Sequence, residues 1–185
     1  MRASLTKHLW SLTVVIALVL GAGDGLGQTG ALNKDPSKLL KKYLSLDMRG
    51  ARLEAISWES QKPYIDWVEE PVWGRVVVVT AYEVMEDLEQ WDVKDNLDVV
   101  IPVEFKVLGS VYLDQATFLA EAQVERIGFR IKAVRGYWRI VEPLIPPHVG
   151  YKRMMNFVRQ AIVEETEPSR VAALSTLKDE LRRAQ

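Results

Sequence analysis

Apolar positions along the chain fall into runs of distinct spacing, and each run predicts an element. Leu39, Leu40, Tyr43, Leu44 and Leu46 repeat every three to four residues, with Lys38, Lys41 and Lys42 opposite. That is an amphipathic helix with one buried stripe. Asp35-Pro36 opens it, because the carboxylate caps free amides and proline needs no N–H partner in the first turn. Gly50 marks its end. The stretch 75–85 is β-branched and reads as a strand. Its four consecutive valines, Val76, Val77, Val78 and Val79, predict burial on both faces. Ile101, Val103, Phe105 and Val107 share one face of the strand at 99–113, with Glu104 and Lys106 on the other. Pro102 predicts an edge position or a bulge there, and Gly109 a bend.

The next run changes phase. Phe118, Ala120, Ala122 and Val124 are apolar at even numbers; Ile127, Phe129, Ile131 and Ala133 are apolar at odd numbers. A one-residue slip inside a continuous run predicts a β-bulge at Gly128, and a bulge bends a sheet. Arg135-Gly136 predicts a tight turn into a return strand, which leaves through Pro143, Pro146 and Pro147. Two helices follow. The first carries Met154, Met155, Val158 and Ile162; the second starts at Pro168 and carries an inner stripe of Val171, Leu174, Leu177, Lys178 and Leu181. The segment 51–73 is aromatic and irregular, with Trp58, Tyr64, Trp67 and Trp73 in one short window where Pro63 and Pro71 limit regular structure. It reads as a lid of core-filling aromatics or as the wall of a pocket.

The first residues have the pattern of a secretory signal: Arg2 and Lys7, an apolar run from Leu9 to about Leu20, then small residues. The apolar run is shorter than the roughly 20 residues a spanning helix needs. The expected organisation is a signal at 1–27, a linker at 28–35, an α+β domain at 36–165 and a C-terminal amphipathic helix at 166–185. The expected destination is export to the periplasm or the extracellular space; the alternative is an uncleaved N-terminal membrane anchor. Gly25, Gly27 and Gly30 match a dinucleotide-binding spacing, but no helical stripe follows, so they read as linker.

Composition narrows the chemistry. The 185 residues are 48% hydrophobic and 26% charged, enough for one domain with a core. Net charge is −1. Loss of Arg2, Lys7 and Asp24 would take Lys+Arg from 24 to 22 and Asp+Glu from 25 to 24, a net charge of −2. Neither value suits a nucleic-acid partner. Arg126, Arg130, Lys132, Arg135 and Arg139 form a basic row whose simplest reading is cross-strand pairing with Glu104, Glu121 or Glu125. The acids at 86–98 read as a solvated hairpin tip, since the spacing and turn glycine of a calcium loop are missing. There are no cysteines, and His148 is the one histidine beyond the signal. No metal and no cofactor is therefore expected. What remains is acid–base chemistry by Asp47, Tyr64, Tyr82, Glu104, Tyr112 or His148 in an apolar cavity. With Trp58 and Trp67 as walls, Asp47, Tyr64, Tyr82, Tyr112 and His148 make up the candidate pocket.

Gly136-Tyr137-Trp138-Arg139-Ile140, the strand at 127–134 and the opening helix at 39–46 resemble the nuclear transport factor 2-like superfamily, over residues 36–145. The resemblance implies an α+β cone: a strongly curved antiparallel sheet wrapped around N-terminal helices, with an apolar pocket at the open end. It also implies dimerisation through the sheet. The superfamily includes ketosteroid isomerase and limonene epoxide hydrolase relatives, and many non-catalytic binding or assembly modules. The two helices after His148 depart from the shorter form of that fold, where they would fill or cover the pocket mouth. The leading expectation is an exported non-catalytic module binding a small apolar molecule or a protein. The alternative is a pocket lyase, isomerase or hydrolase.

Overall fold

The computed structural model describes residues 35–69 and 71–185, so the signal and all but the end of the linker lie outside the described residues. Helix α1 (Pro36–Met48) starts as its sequence predicts: Asp35 Oδ1 accepts a hydrogen bond from the Ser37 amide at 2.8 Å. Gly50, with φ 82°, turns the chain away past its end. Two short 3-10 turns follow, Ala55–Ser60 and Lys62–Tyr64. Then come strands β1 (Val76–Val84), β2 (Asp92–Asp95), β3 (Asp98–Tyr112), β4 (Thr117–Val134), β5 (Tyr137–Glu142) and β6 (His148–Gly150). Helices α2 (Tyr151–Glu164) and α3 (Pro168–Arg183) close the chain.

The fold is α+β, with a strongly curled, antiparallel-rich sheet forming a half-barrel. Strand order is β5-β4-β3-β1-β6, and β2 pairs with β3 beyond the end of β1. Pro102 falls opposite the gap between β1 and β2, where its missing N–H breaks no ladder. One expectation is corrected: the sheet is not wholly antiparallel. His148–Gly150, read from sequence as a proline-led exit, forms β6 and lies parallel to β1.

The valine run explains the layering. Val77 and Val79 join the concave core with Leu40, Tyr43 and Leu44 of α1 and with Ile101, Phe105, Phe129 and Ile131. Val76 and Val78 join the convex core with Met154, Met155 and Val158 of α2 and Leu174, Leu177 and Leu181 of α3. Each fully buried valine contributes on the order of 1.5–3 kcal/mol, so β1 is clamped from both sides. Helices α2 and α3 thus pack on the convex surface, not over the concave mouth.

The bend expected at Gly128 is elsewhere. Register between β3 and β4 runs unbroken from Val107↔Gln123 to Asp98↔Lys132, straight through Pro102↔Gly128. The phase slip is instead a change of buried face along a regular strand. Phe118 packs on the convex core, whereas Phe129 and Ile131 pack on the concave one. The register breaks at Gly109 and around Thr80. At Gly109, φ is 153° and an added Cβ would come within 2.2 Å of the Leu119 carbonyl oxygen. Only glycine fits there, and Val107 faces the concave core before it while Val111 faces the convex core after it.

Beyond the cover of α2 and α3, the convex face is charged. Asp98 takes a two-pronged hydrogen bond from Arg130 at 2.9 and 2.7 Å, with Lys132 at 3.2 Å. These cations hold the Asp98 carboxyl down at about 2, the Arg130 hydrogen bond being the largest cause. Arg126 lies 3.6 Å from Glu104. Arg126, Arg130 and Lys132 are thus paired across strands, and Asp98, expected on a solvated hairpin tip, is instead buried in β3 as the partner of Arg130 and Lys132.

Candidate functional site

Asp47 ends the buried stripe of α1 and is 1% exposed. Its carboxylate is gripped by Arg52, with Nε to Oδ1 and Nη2 to Oδ2 both at 2.8 Å. This is the planar fork geometry that makes arginine–carboxylate pairs strong. The same guanidinium donates to the carbonyls of Ile145 at 2.8 Å and Pro146 at 3.0 Å. Asp47 Oδ2 also accepts from the backbone amide of His148 at 3.0 Å. Asp47 and Arg52 therefore tie three segments together: the end of α1, the following loop and the proline exit into β6. The Arg52 guanidinium carbon lies 5.9 Å from the Tyr43 ring centre and 5.8 Å from that of Trp67, adding cation–π attraction.

His148 is 3% exposed and projects into the concave core, with its ring 4.5 Å from that of Phe105. Nδ1 lies 2.8 Å from the Pro146 carbonyl oxygen. That carbonyl requires the proton on Nδ1, leaving Nε2 as the acceptor, and Nε2 is buried without a hydrogen-bond partner among the described residues. Burial holds the imidazole below its ordinary range, and the Asp47 carboxylate offsets this only in part. Of the candidates, Asp47 and His148 meet, but through the histidine's backbone. Their side chains form no catalytic dyad.

The other candidates do not converge. Trp58 stacks on Trp67 at 6.0 Å, and Trp67 meets Tyr43 edge-on at 6.2 Å. Tyr43 contacts Phe129, Phe129 contacts Phe105, and Phe105 contacts Tyr82, each pair at 6.3 Å. These rings run as one file across the concave core, where the resemblance implies a pocket. Tyr64 is half-buried against the same core. Tyr82 and Glu104 border a shallow depression of about 140 Å3, but Tyr82 leans on the concave core while Glu104 pairs with Arg126 on the convex side. Burial raises the Tyr82 phenol above its usual range, away from acid–base work near neutrality. Tyr112 stands at the end of β3, opposite Thr117.

A concavity of about 510 Å3 lies between the end of α1 and the start of α2, bordered by Arg49, Lys152, Arg153 and Asn156. None of the candidate residues borders it. Arg153 is already engaged by Glu54 at 2.8 Å and by the Arg49 carbonyl at 3.2 Å. Among the described residues, no group of three or more acids or histidines is placed to hold a metal ion.

Arg52 and Gln61 are buried polar residues that escaped the sequence reading. Arg52 sits past the helix-ending glycine, and nothing in its spacing announces that it reaches back to Asp47 and forward to Ile145 and Pro146. Gln61 is fully buried between the two 3-10 turns, with neither side-chain amide atom hydrogen-bonded among the described residues. Comparison with protein-family models, with characterised proteins and with solved structures finds no match to this chain.

Proposed function

We propose that this chain is an exported, non-catalytic module of cone type whose ligand is a protein rather than a small molecule. The observation that carries the proposal is the file of rings from Tyr82 to Trp58, which occupies the concave side together with Leu40 and Leu44 of α1. A ligand pocket of the usual 300–1,000 Å3 needs that space. The chemistry points the same way. Asp47 is neutralised by Arg52, and the His148 ring packs against Phe105. Export is supported by the signal pattern at 1–27, and the cone type by the resemblance carried on residues 36–145.

Tryptophan emission tests this reading, because Trp58 and Trp67 sit in the file of rings. Titration with a panel of steroids, terpenes and fatty acids should leave their emission unchanged. A saturable change at one ligand per chain would overturn the proposal.

A further inference from the structure

Strand β4 is 18 residues long, but β5 pairs only with its last part, from Arg130 to Val134. Among the described residues, 117–129 has β3 on one side and no strand on the other. Leu119 is 51% exposed and Val124 64%, on opposite faces of the strand, so beyond Phe118, which packs on the convex core near α3, this stretch is open on both faces as well as along its edge. Natural sheets guard such edges with proline, lysine, bulges or a covering loop. Residues 117–127, TFLAEAQVERI, contain no proline, no lysine and no glycine, and their one irregularity is the register shift between Ala120 and Gln123, opposite Gly109.

The direction of the open hydrogen-bonding groups follows from the turn. Arg135 and Gly136 have φ of 52° and 82°, the two-residue hairpin turn in which both central residues are left-handed. The residues flanking it, Val134 and Tyr137, then face each other with their backbone bonds exchanged. Counting back by twos, the even-numbered residues of β4 point their N–H and C=O away from β3. Phe118, Ala120, Ala122, Val124 and Arg126 therefore offer an unpaired ladder.

We propose that a second copy of this chain adds to this edge as an antiparallel strand, with the two-fold axis at Ala122. This deepens the protein-binding reading above and rests on it. Charge selects the register. Centred on Ala122, the pairing sets Ala120 against Val124, Glu121 against Gln123, Leu119 against Glu125 and Phe118 against Arg126, each twice. Small apolar side chains meet, a carboxylate faces an amide donor, and a guanidinium faces a ring. Centred on Gln123, it would set Glu121 against Glu125 twice, and like charges directly opposite are destabilising. Centred on Val124, it would also set an acid against an apolar residue, Glu121 against Ile127, with no guanidinium–ring pair within the open stretch to offset it. The edge is thus self-complementary in one register, and a two-fold pair closes on itself without leaving a further edge free at this site.

Sedimentation velocity across a concentration series tests the dimer. The expected species has twice the chain mass. Ala122→Pro removes only an outward N–H, so it should give a monomer with an unchanged far-ultraviolet circular dichroism spectrum. A second pair of variants tests the register independently, since the chain has no cysteine of its own. At the two-fold axis the paired Cα atoms lie about 5.5 Å apart, within disulfide reach. Ala122→Cys should therefore cross-link into a covalent dimer on mild oxidation. Val124→Cys should not, because its copies would sit four residues, roughly 13 Å, apart along the strands. A monomer at all concentrations, a dimer that survives Ala122→Pro, or cross-linking through Val124→Cys alone would each overturn the inference. So would a monomer whose β4 edge amides resist hydrogen exchange, since the edge would then belong to residues 1–34 or to a foreign strand. A monomer with silent tryptophan titrations removes the dimer alone, whereas a saturable small-molecule response removes the reading beneath it.

Discussion

Replacing Arg52 with methionine should be the most damaging single polar substitution in the concave core. The change removes two charge-assisted hydrogen bonds to Asp47 and two more to the carbonyls of Ile145 and Pro146. Among the described residues, Asp47 would keep only the His148 amide as a donor. The two side chains are 0% and 2% exposed, so water cannot take the place of the guanidinium. Breaking a buried pair by removing one partner costs about 3–5 kcal/mol. In a chain of this size each kcal/mol moves the melting temperature by about 2–4 °C, so a fall of roughly 10 °C is expected. Urea unfolding followed by tryptophan fluorescence measures it directly. The double variant Asp47→Asn/Arg52→Met removes the stranded charge and keeps an acceptor for the His148 amide. It should recover more than half of the loss. A single-variant loss below about 1 kcal/mol, or a double variant that simply adds the two single losses, would refute the tie between the three segments.

Other consequences follow from groups whose environments are equally specific. His148 is held neutral by burial, with its folded pKa below the ordinary 6.5. The unfolded chain therefore takes up a proton first, and stability should fall as pH drops below about 6.5, until the folded pKa is reached. Urea midpoints between pH 7.5 and 5 should decline in the parent and decline less in His148→Leu; equal slopes would contradict the assignment. Asp98 has its folded pKa lowered to about 2 by Arg130 and Lys132. Its stabilising contribution should be present at neutral pH and lost between roughly pH 4 and 2, so Asp98→Asn should differ from the parent at pH 7 and match it near pH 2. Gln61 is buried with both amide atoms unpaired among the described residues, so Gln61→Met should raise stability by about 1 kcal/mol or more, read as a higher urea midpoint.

Much of the architecture was legible because it rests on local rules. The α1 stripe, the Asp35 cap, the Arg135-Gly136 turn and the two-sided valine strand each follow from periodicity or backbone preference. The phase slip in β4 was visible but ambiguous. A bulge and a change of buried face leave the same apolar pattern, and only the register with β3 separates them. Gly109 was read as a bend, yet its necessity comes from the Leu119 carbonyl, which spacing cannot place. The site was less legible for a plain reason. Arg52 reaches Ile145 and Pro146 across more than ninety residues of chain, and no short motif encodes so distant a pairing. From sequence, His148 reads as a candidate pocket residue, following the prolines at 146 and 147. Its burial depends on parallel pairing with β1, a contact between distant segments that residue order does not signal.

Whether the module serves proteins or small molecules is tested most directly by native mass spectrometry of the chain purified from its own host. The filled concave core and the open β4 edge predict a protein complex, a dimer of this chain above all, with no small-molecule adduct. A monomer carrying one tightly held small molecule per chain would contradict that role.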